Sequence, residues 1–157
     1  MTAITQLLFR GWDLLHYLSG GGSWALRPYE RTIVDAVIDS FSQSIQALLL
    51  AQLQQKYFVE RIPAGRINVF RFYNPDGALK IQDAKFPDLL MNVQIDVDGE
   101  EQVAHATFYK GYIFSIEFKK PGRYYSGKKV TVRDVRPGKP NQTYTRAIDR
   151  FEHGRDS

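Results

Sequence analysis

The sequence predicts an α+β domain of two layers, an antiparallel sheet of five or six strands with one long helix packed on one face and a shorter helix at the N-terminus. Three observations carry that expectation. Apolar residues between 28 and 55 recur at steps of three and four, the period of an amphipathic helix. After Gln55 the period drops to two, in runs rich in β-branched and aromatic residues, which is strand chemistry. Residues 89–98 then alternate cleanly up to an Asp-Gly pair, the favoured two-residue hairpin turn. A chain of 157 residues suits one domain of ordinary size.

At the N-terminus Ile4, Leu7, Leu8, Gly11, Leu14, Leu15 and Leu18 fall on one helical stripe, expected to be buried against the rest of the fold. Arg10, Trp12, Asp13 and His16 interrupt the apolar run, so the segment reads as a helix and not as a signal peptide or a membrane span. Gly20, Gly21, Gly22 and Ser23 break it and form a flexible joint. The glycines have no following Lys-Ser/Thr and no preceding strand, which excludes a phosphate loop of the usual kind. Residues 1–22 are thus expected as helix and joint, 23–135 as the α+β domain and 136–157 as a polar, partly mobile tail.

Pro28 suits the first turn of the second helix, with Glu30 near the positive end of its dipole. Val34, Ile38, Phe41, Ile45 and Leu48 continue the apolar stripe beside a polar one of Asp35, Asp39, Ser42 and Gln46. A single helix from 28 to 55 follows, widened by Val37, Leu49, Leu50 and Leu53 as a helix lying on a sheet would be.

Residues 57–62 and 67–73 flank Pro63-Ala64-Gly65 and read as a hairpin. Asn74-Pro75-Asp76-Gly77 is a turn and 78–88 a loop. Across Asp98-Gly99, Val93 pairs with Ala104 and Met91 with Ala106, with Leu89 beside Phe108. At Tyr109-Lys110-Gly111 a two-residue loop would bury Ile113, Ser115 and Glu117. A three-residue loop with Gly111 left-handed would bury Tyr112, Phe114, Ile116 and Phe118, and hydrophobicity selects the second.

That register gathers Asn92, Gln94, His105, Thr107, Ser115 and Glu117 on the outer face, with His105 opposite Ser115. A hydrolase built on His105, Ser115 and Glu117 is one reading. A wet sheet face is the better one, because a flat sheet supplies neither an oxyanion hole nor a pocket. With no cysteine and three dispersed histidines (His16, His105 and His153), no metal or cofactor motif is present. The acidic run Asp96, Asp98, Glu100 and Glu101 fails the spacing of a calcium loop.

Charge divides the chain. Residues 1–118 hold 10 Lys and Arg against 13 Asp and Glu, whereas 119–157 hold 11 against 4. Lys119, Lys120, Arg123, Lys128, Lys129 and Arg133, interleaved with Tyr124 and Tyr125, could bind nucleic acid by phosphate neutralisation and base stacking. Lys and Arg also protect an edge strand, and Val130-Thr131-Val132 looks like one.

The segment 108–118, FYKGYIFSIEF, resembles strand-turn-strand segments of small bacterial α+β immunity proteins of toxin systems. The resemblance implies a protein partner, a toxin domain, and carries over no functional residue. The expectation is therefore a non-enzymatic, cytoplasmic protein-binding module that makes no use of a membrane. Its partner surface would be Asp96, Asp98, Glu100 and Glu101 at the hairpin tip with Asn92, Gln94, His105, Thr107, Ser115 and Glu117 on the sheet.

Overall fold

The computed structural model describes residues 3–63, 65–82 and 89–139, with side chains from Arg10 onward. Of the expected loop at 78–88, residues 83–88 lie outside the described residues, as does the expected tail beyond 139; the tail's first residues, 136 and 137, belong instead to the last strand. The chain runs α1 (Ala3–Leu18), β1 (Gly22–Ser23), α2 (Pro28–Asp39), α3 (Gln43–Gln54), β2 (Tyr57–Ile62), β3 (Ile67–Phe72), β4 (Leu90–Val97), β5 (Glu100–Tyr109), β6 (Tyr112–Glu117), α4 (Gly122–Tyr125) and β7 (Val130–Pro137). Among the described residues the strands form one antiparallel sheet of seven in the order β1-β2-β3-β6-β5-β4-β7. The α+β class holds, and the strand number is corrected upward. Gly22–Ser23 supplies the additional edge at one end, and Val130–Pro137 is the edge strand at the other.

The single helix expected over 28–55 is two helices. Ser40 ends α2, its hydroxyl donating to the Val37 carbonyl at 2.6 Å, and Ser42 starts α3 from extended backbone. Serine hydroxyls that bond the backbone locally compete with the helix ladder, and the break lets Phe41 turn in against Phe108, ring centres 5.6 Å apart. Ile33, Val34, Val37 and Ile38 of α2 and Leu49 of α3 bury against Met91, Val93, Ile95, Ala104, Ala106 and Ile116 of the sheet. Gln52 fastens α3 to the β5–β6 turn: its amide donates to the carbonyls of Leu79 and Gly111, at 2.8 and 2.9 Å, and accepts from the Ile113 N–H.

The β4–β5 register is the one read from the sequence, with Val93 opposite Ala104 and Met91 opposite Ala106, and positive φ at both Asp98 and Gly99. The β5–β6 register combines the two alternatives. Lys110 and Gly111 both have positive φ and make a two-residue turn, so Phe108 faces Ile113. A bulge beyond that pair then shifts the phase, and Thr107 faces Ser115 while Ala106 faces Ile116. Ile113, Ser115, Ile116 and Phe118 are all buried, whereas Phe114 is only half-buried.

The glycine segment is tied down. Arg61 N–H donates to the Gly21 carbonyl at 2.7 Å, and Gly22 pairs with Glu60. A Cβ on Gly22 would stand 2.3 Å from the Phe58 ring, so this close approach requires glycine. The α1 helix crosses the face of the sheet opposite α2 and α3, over β1 to β3, and adds a third layer there. At 16 residues it is longer than either α2 or α3, against the shorter helix expected.

Candidate functional site

On the outer face, Asn92, His105 and Glu117 form one row across β4, β5 and β6, and Leu90, Thr107 and Ser115 the next. His105 therefore stands opposite Glu117 and not Ser115, because the bulge re-phases β6. Its Nδ1 lies 2.8 Å from Asn92 Oδ1. The Thr107 and Ser115 hydroxyls are 2.5 Å apart, and Ser115 is 1% exposed. A serine bonded to a threonine and sealed from solvent has neither a base nor access to substrate, so the hydrolase arrangement of His105, Ser115 and Glu117 is not assembled. Gln94, Glu101, His105, Glu117, Lys119 and Arg133 line an open depression of about 450 Å³, a surface that can hold a partner's polar groups.

The acidic tip and the basic segment face one another because β7 pairs with β4. Arg133 donates to Asp96 at 2.6 Å and lies 3.2 Å from Glu101. Glu100 accepts from the Tyr124 hydroxyl, and Asp98 from the Lys129 N–H at 3.0 Å. The Gly99 N–H, then Arg133, hold the Asp96 carboxyl below the usual carboxylate range, and the Tyr124 hydroxyl does the same for Glu100. Part of the charge separation visible in the sequence is thus neutralised within the fold.

The aromatics of the basic segment are engaged as well. Lys128 Nζ sits 3.4 Å from the centre of the Tyr124 ring, a cation–π contact. Tyr125 is 1% exposed, packs on Tyr29 and Phe118, and donates to Gln102 at 2.8 Å. It has no free face for a base. Lys119, Arg123 and Lys129 remain exposed.

Two features escaped the sequence reading. The first is the orientation of α1. Asp13 is fully buried and accepts from Arg71 and from the Tyr73 hydroxyl, while His16 faces Glu60. The polar side of the helix is docked, and the part of the expected core stripe whose side chains are described points outward: Leu14, Leu15 and Leu18 are 50%, 62% and 72% exposed, with Trp12 and Tyr17 exposed beside them, while the side chains of Ile4, Leu7 and Leu8 lie outside the described residues. Successive helical residues turn by about 100°, which puts Leu14 and Leu18 on the side away from Asp13 and His16. The stripe was legible. Its direction depended on partners some sixty residues away, at Arg71 and Tyr73.

The second is a polar network beneath the N-terminus of α2. Arg61 reaches Glu30 from β2, and Asn68 Nδ2 donates to the same carboxylate at 2.8 Å. Nearby, the turn before β1, the start of α2 and residues 123–128 line an open cleft of about 1060 Å³.

Among the described residues no cluster of three or more His, Asp or Glu could hold a metal ion, and no helix is long and apolar enough to cross a membrane. In comparisons with known proteins the chain matches no family model, no curated sequence and no solved structure.

Proposed function

We propose that this chain is a non-enzymatic protein-binding module whose contact surface is the outward stripe of α1. The observation that supports the reading is the inverted docking of that helix, which leaves Leu14, Leu15 and Leu18 in water. Burying a leucine side chain is worth roughly 1.5–3 kcal/mol, and contiguous exposed apolar patches mark interaction sites. The stripe continues into a groove of about 870 Å³ lined by Leu14, Trp24, Leu26, Leu53 and Tyr57 together with Arg10 and Lys56. A lining of apolar and basic side chains suits a partner protein that presents an apolar ridge with acidic side chains. A toxin domain held by its immunity protein is the concrete form of such a partner. The acidic hairpin is the weaker candidate surface, because Asp96 and Glu101 share Arg133 and Glu100 and Asp98 are already hydrogen-bonded within the fold.

The test is the Leu14→Gln, Leu15→Gln, Leu18→Gln variant. It should keep the melting temperature of the wild type within a few degrees, since exposed sites contribute little to stability. A partner recovered from the native host and purified should bind the wild type in reconstitution and the variant at least tenfold more weakly, with added salt weakening the wild-type complex. Recovery of no partner, equal affinity for both proteins, or use of the stripe for self-association or for lipid vesicles overturns the reading.

A further inference from the structure

We infer that the Arg10–Leu18 part of α1 is a strap, closed by a charged latch of Asp13 with Arg71 and Tyr73, that opens independently of the rest of the fold and so regulates the partner surface proposed above. What the strap regulates rests on that reading; the latch itself does not.

The strap has little apolar hold on the sheet. From Arg10 to Leu18 only Asp13 is buried and only His16 half-buried, and every other residue is exposed. Asp13 accepts from Arg71 of β3 and from the Tyr73 hydroxyl just beyond that strand, and His16 Nε2 lies 3.8 Å from Glu60 of β2. The Tyr17 ring stands 5.1 Å from that of Trp24. Docking of this stretch is therefore mainly polar. Segments with few buried apolar contacts open locally, at a free energy below that of global unfolding.

The latch is poised. Asp13 is fully buried and Glu60 is 7% exposed, and the Arg71 guanidinium donates to both. Two carboxylates thus share one guanidinium between helix and sheet. In the closed strap these charges are held out of water, and their desolvation offsets much of their attraction. Lifting the strap returns them to solvent, so the closed and open states lie close in free energy. Without Arg71 the two carboxylates would face each other across the closed contact, a like-charge repulsion that opening relieves.

A hinge stands at the right place. Gly20 has positive φ, and a Cβ there would meet nothing within 4 Å. Gly21 accepts from the Arg61 N–H and Gly22 pairs with Glu60, so the strap can turn at Gly20 while β1 stays on the sheet.

The latch also reaches the groove. Trp24 Nε1 donates to the same Tyr73 hydroxyl at 2.9 Å, and Trp24 and Tyr73 line the groove together with Leu14 of the strap. Closure is what brings Leu14 to the walls formed by Trp24, Leu53 and Tyr57. A partner that grips both sides binds the closed chain, and by linkage it holds the strap shut.

Amide hydrogen exchange of the full chain, followed by NMR, tests the latch without any partner. Corrected for intrinsic rates, amides of residues 14–18 should exchange at least tenfold faster than those of Ile33 and Val34 in α2. Arg71→Gln should speed α1 exchange about tenfold further and leave α2 unchanged; Tyr73→Phe, which keeps the ring and removes one donor to Asp13, should act in the same direction. Adding Asp13→Asn to Arg71→Gln should restore part of the protection, because one of the two facing carboxylates is then gone. Equal protection of α1 and α2, α1 exchange unchanged in both Arg71→Gln and Tyr73→Phe, or a rise shared equally by α2 in both, overturns the latch. The purified partner should slow α1 exchange in the wild type at least tenfold. A partner that binds without slowing it overturns the regulation, whereas recovery of no partner overturns the reading of the surface, and the exchange data still decide the latch.

Discussion

Arg61 and Glu30 meet as a parallel pair: Nε donates to Oε1 and Nη2 to Oε2, both at 2.7 Å, with both side chains sealed from water. Glu30 lies in the first turn of α2 and Arg61 on β2, so the pair pins the helix start to one end of the sheet. The carboxylate also accepts from Asn68 and from the Arg27 N–H at 2.8 Å, and Arg61 Nη1 donates to Ser23 at 2.9 Å. Two-point geometry with further hydrogen bonds to both partners is the condition under which a buried ion pair offsets its desolvation.

Breaking that pair from one side strands a buried charge. Glu30→Gln should cost about 3–5 kcal/mol in urea unfolding. Combining Glu30→Leu with Arg61→Met should cost less than the sum of the single changes, because neither charge is then left alone. Strict additivity would show that the two residues do not couple.

The turns offer a second contrast. Gly99 and Gly111 both have positive φ, so alanine at either is strained by roughly 1–3 kcal/mol. A Cβ at Gly99 meets nothing within 4 Å, whereas one at Gly111 would lie 2.5 Å from the Ile81 carbonyl oxygen. Gly111→Ala should therefore be clearly the more destabilising when the two are compared by chemical denaturation. Ile116→Ala, at a fully buried site, should cost about 2–5 kcal/mol, and Phe114→Ala less, because Phe114 is half-buried.

These contrasts also explain what the sequence could and could not convey. The β4–β5 register was legible because Asp98-Gly99 fixes the turn and every second residue from Leu89 to Val97 is apolar. The β5–β6 register was not, because Tyr112, Ile113 and Phe114 are all apolar and a bulge lets two phases coexist. The break between α2 and α3 was hidden by Phe41, which keeps the helical period while Ser40 bonds back to Val37 and Ser42 is extended. At the candidate sites the sequence placed Asn92 beside His105 correctly, but it set His105 opposite Ser115, whereas the bulge puts Glu117 there and Ser115 against Thr107. It could not show that Arg133 turns back on Asp96, that Tyr125 is a core residue, or that α1 docks by Asp13, since each depends on contacts between distant elements.

The Arg133–Asp96 contact has a consequence in acid. The Asp96 carboxyl lies below its ordinary value of 3.8, first through the Gly99 N–H and then through Arg133. The lowered value means that the folded chain binds this proton less readily than the unfolded chain, so the interaction stabilises above the ordinary value and is lost as pH falls through the folded one. An NMR titration should place the Asp96 midpoint below 3.8. Arg133→Gln should move it upward without restoring the ordinary value, because the Gly99 N–H remains. An unchanged midpoint in that variant would assign the whole shift to the turn.

Alkaline pH should act on the two tyrosines at the ends of the fold's polar networks. Burial raises the phenols of Tyr29 and Tyr73 from 10.0 to about 12, and Asp13, which accepts from the Tyr73 hydroxyl, adds to the second. The unfolded chain loses these protons near the ordinary value while the folded chain retains them. Between pH 10 and 12 the folded state therefore binds more protons, and stability falls as pH rises. At 1.36 kcal/mol per unit, Tyr29 contributes a loss of about 2–3 kcal/mol across that interval. Tyr73 contributes less, because it is half-buried and screened by solvent. Ultraviolet titration of phenolate, followed together with circular dichroism, should show late-ionising tyrosines that titrate with unfolding. Tyr29→Phe should flatten the alkaline loss of stability. An alkaline slope in Tyr29→Phe equal to that of the wild type would show that Tyr29 ionises normally in the folded protein.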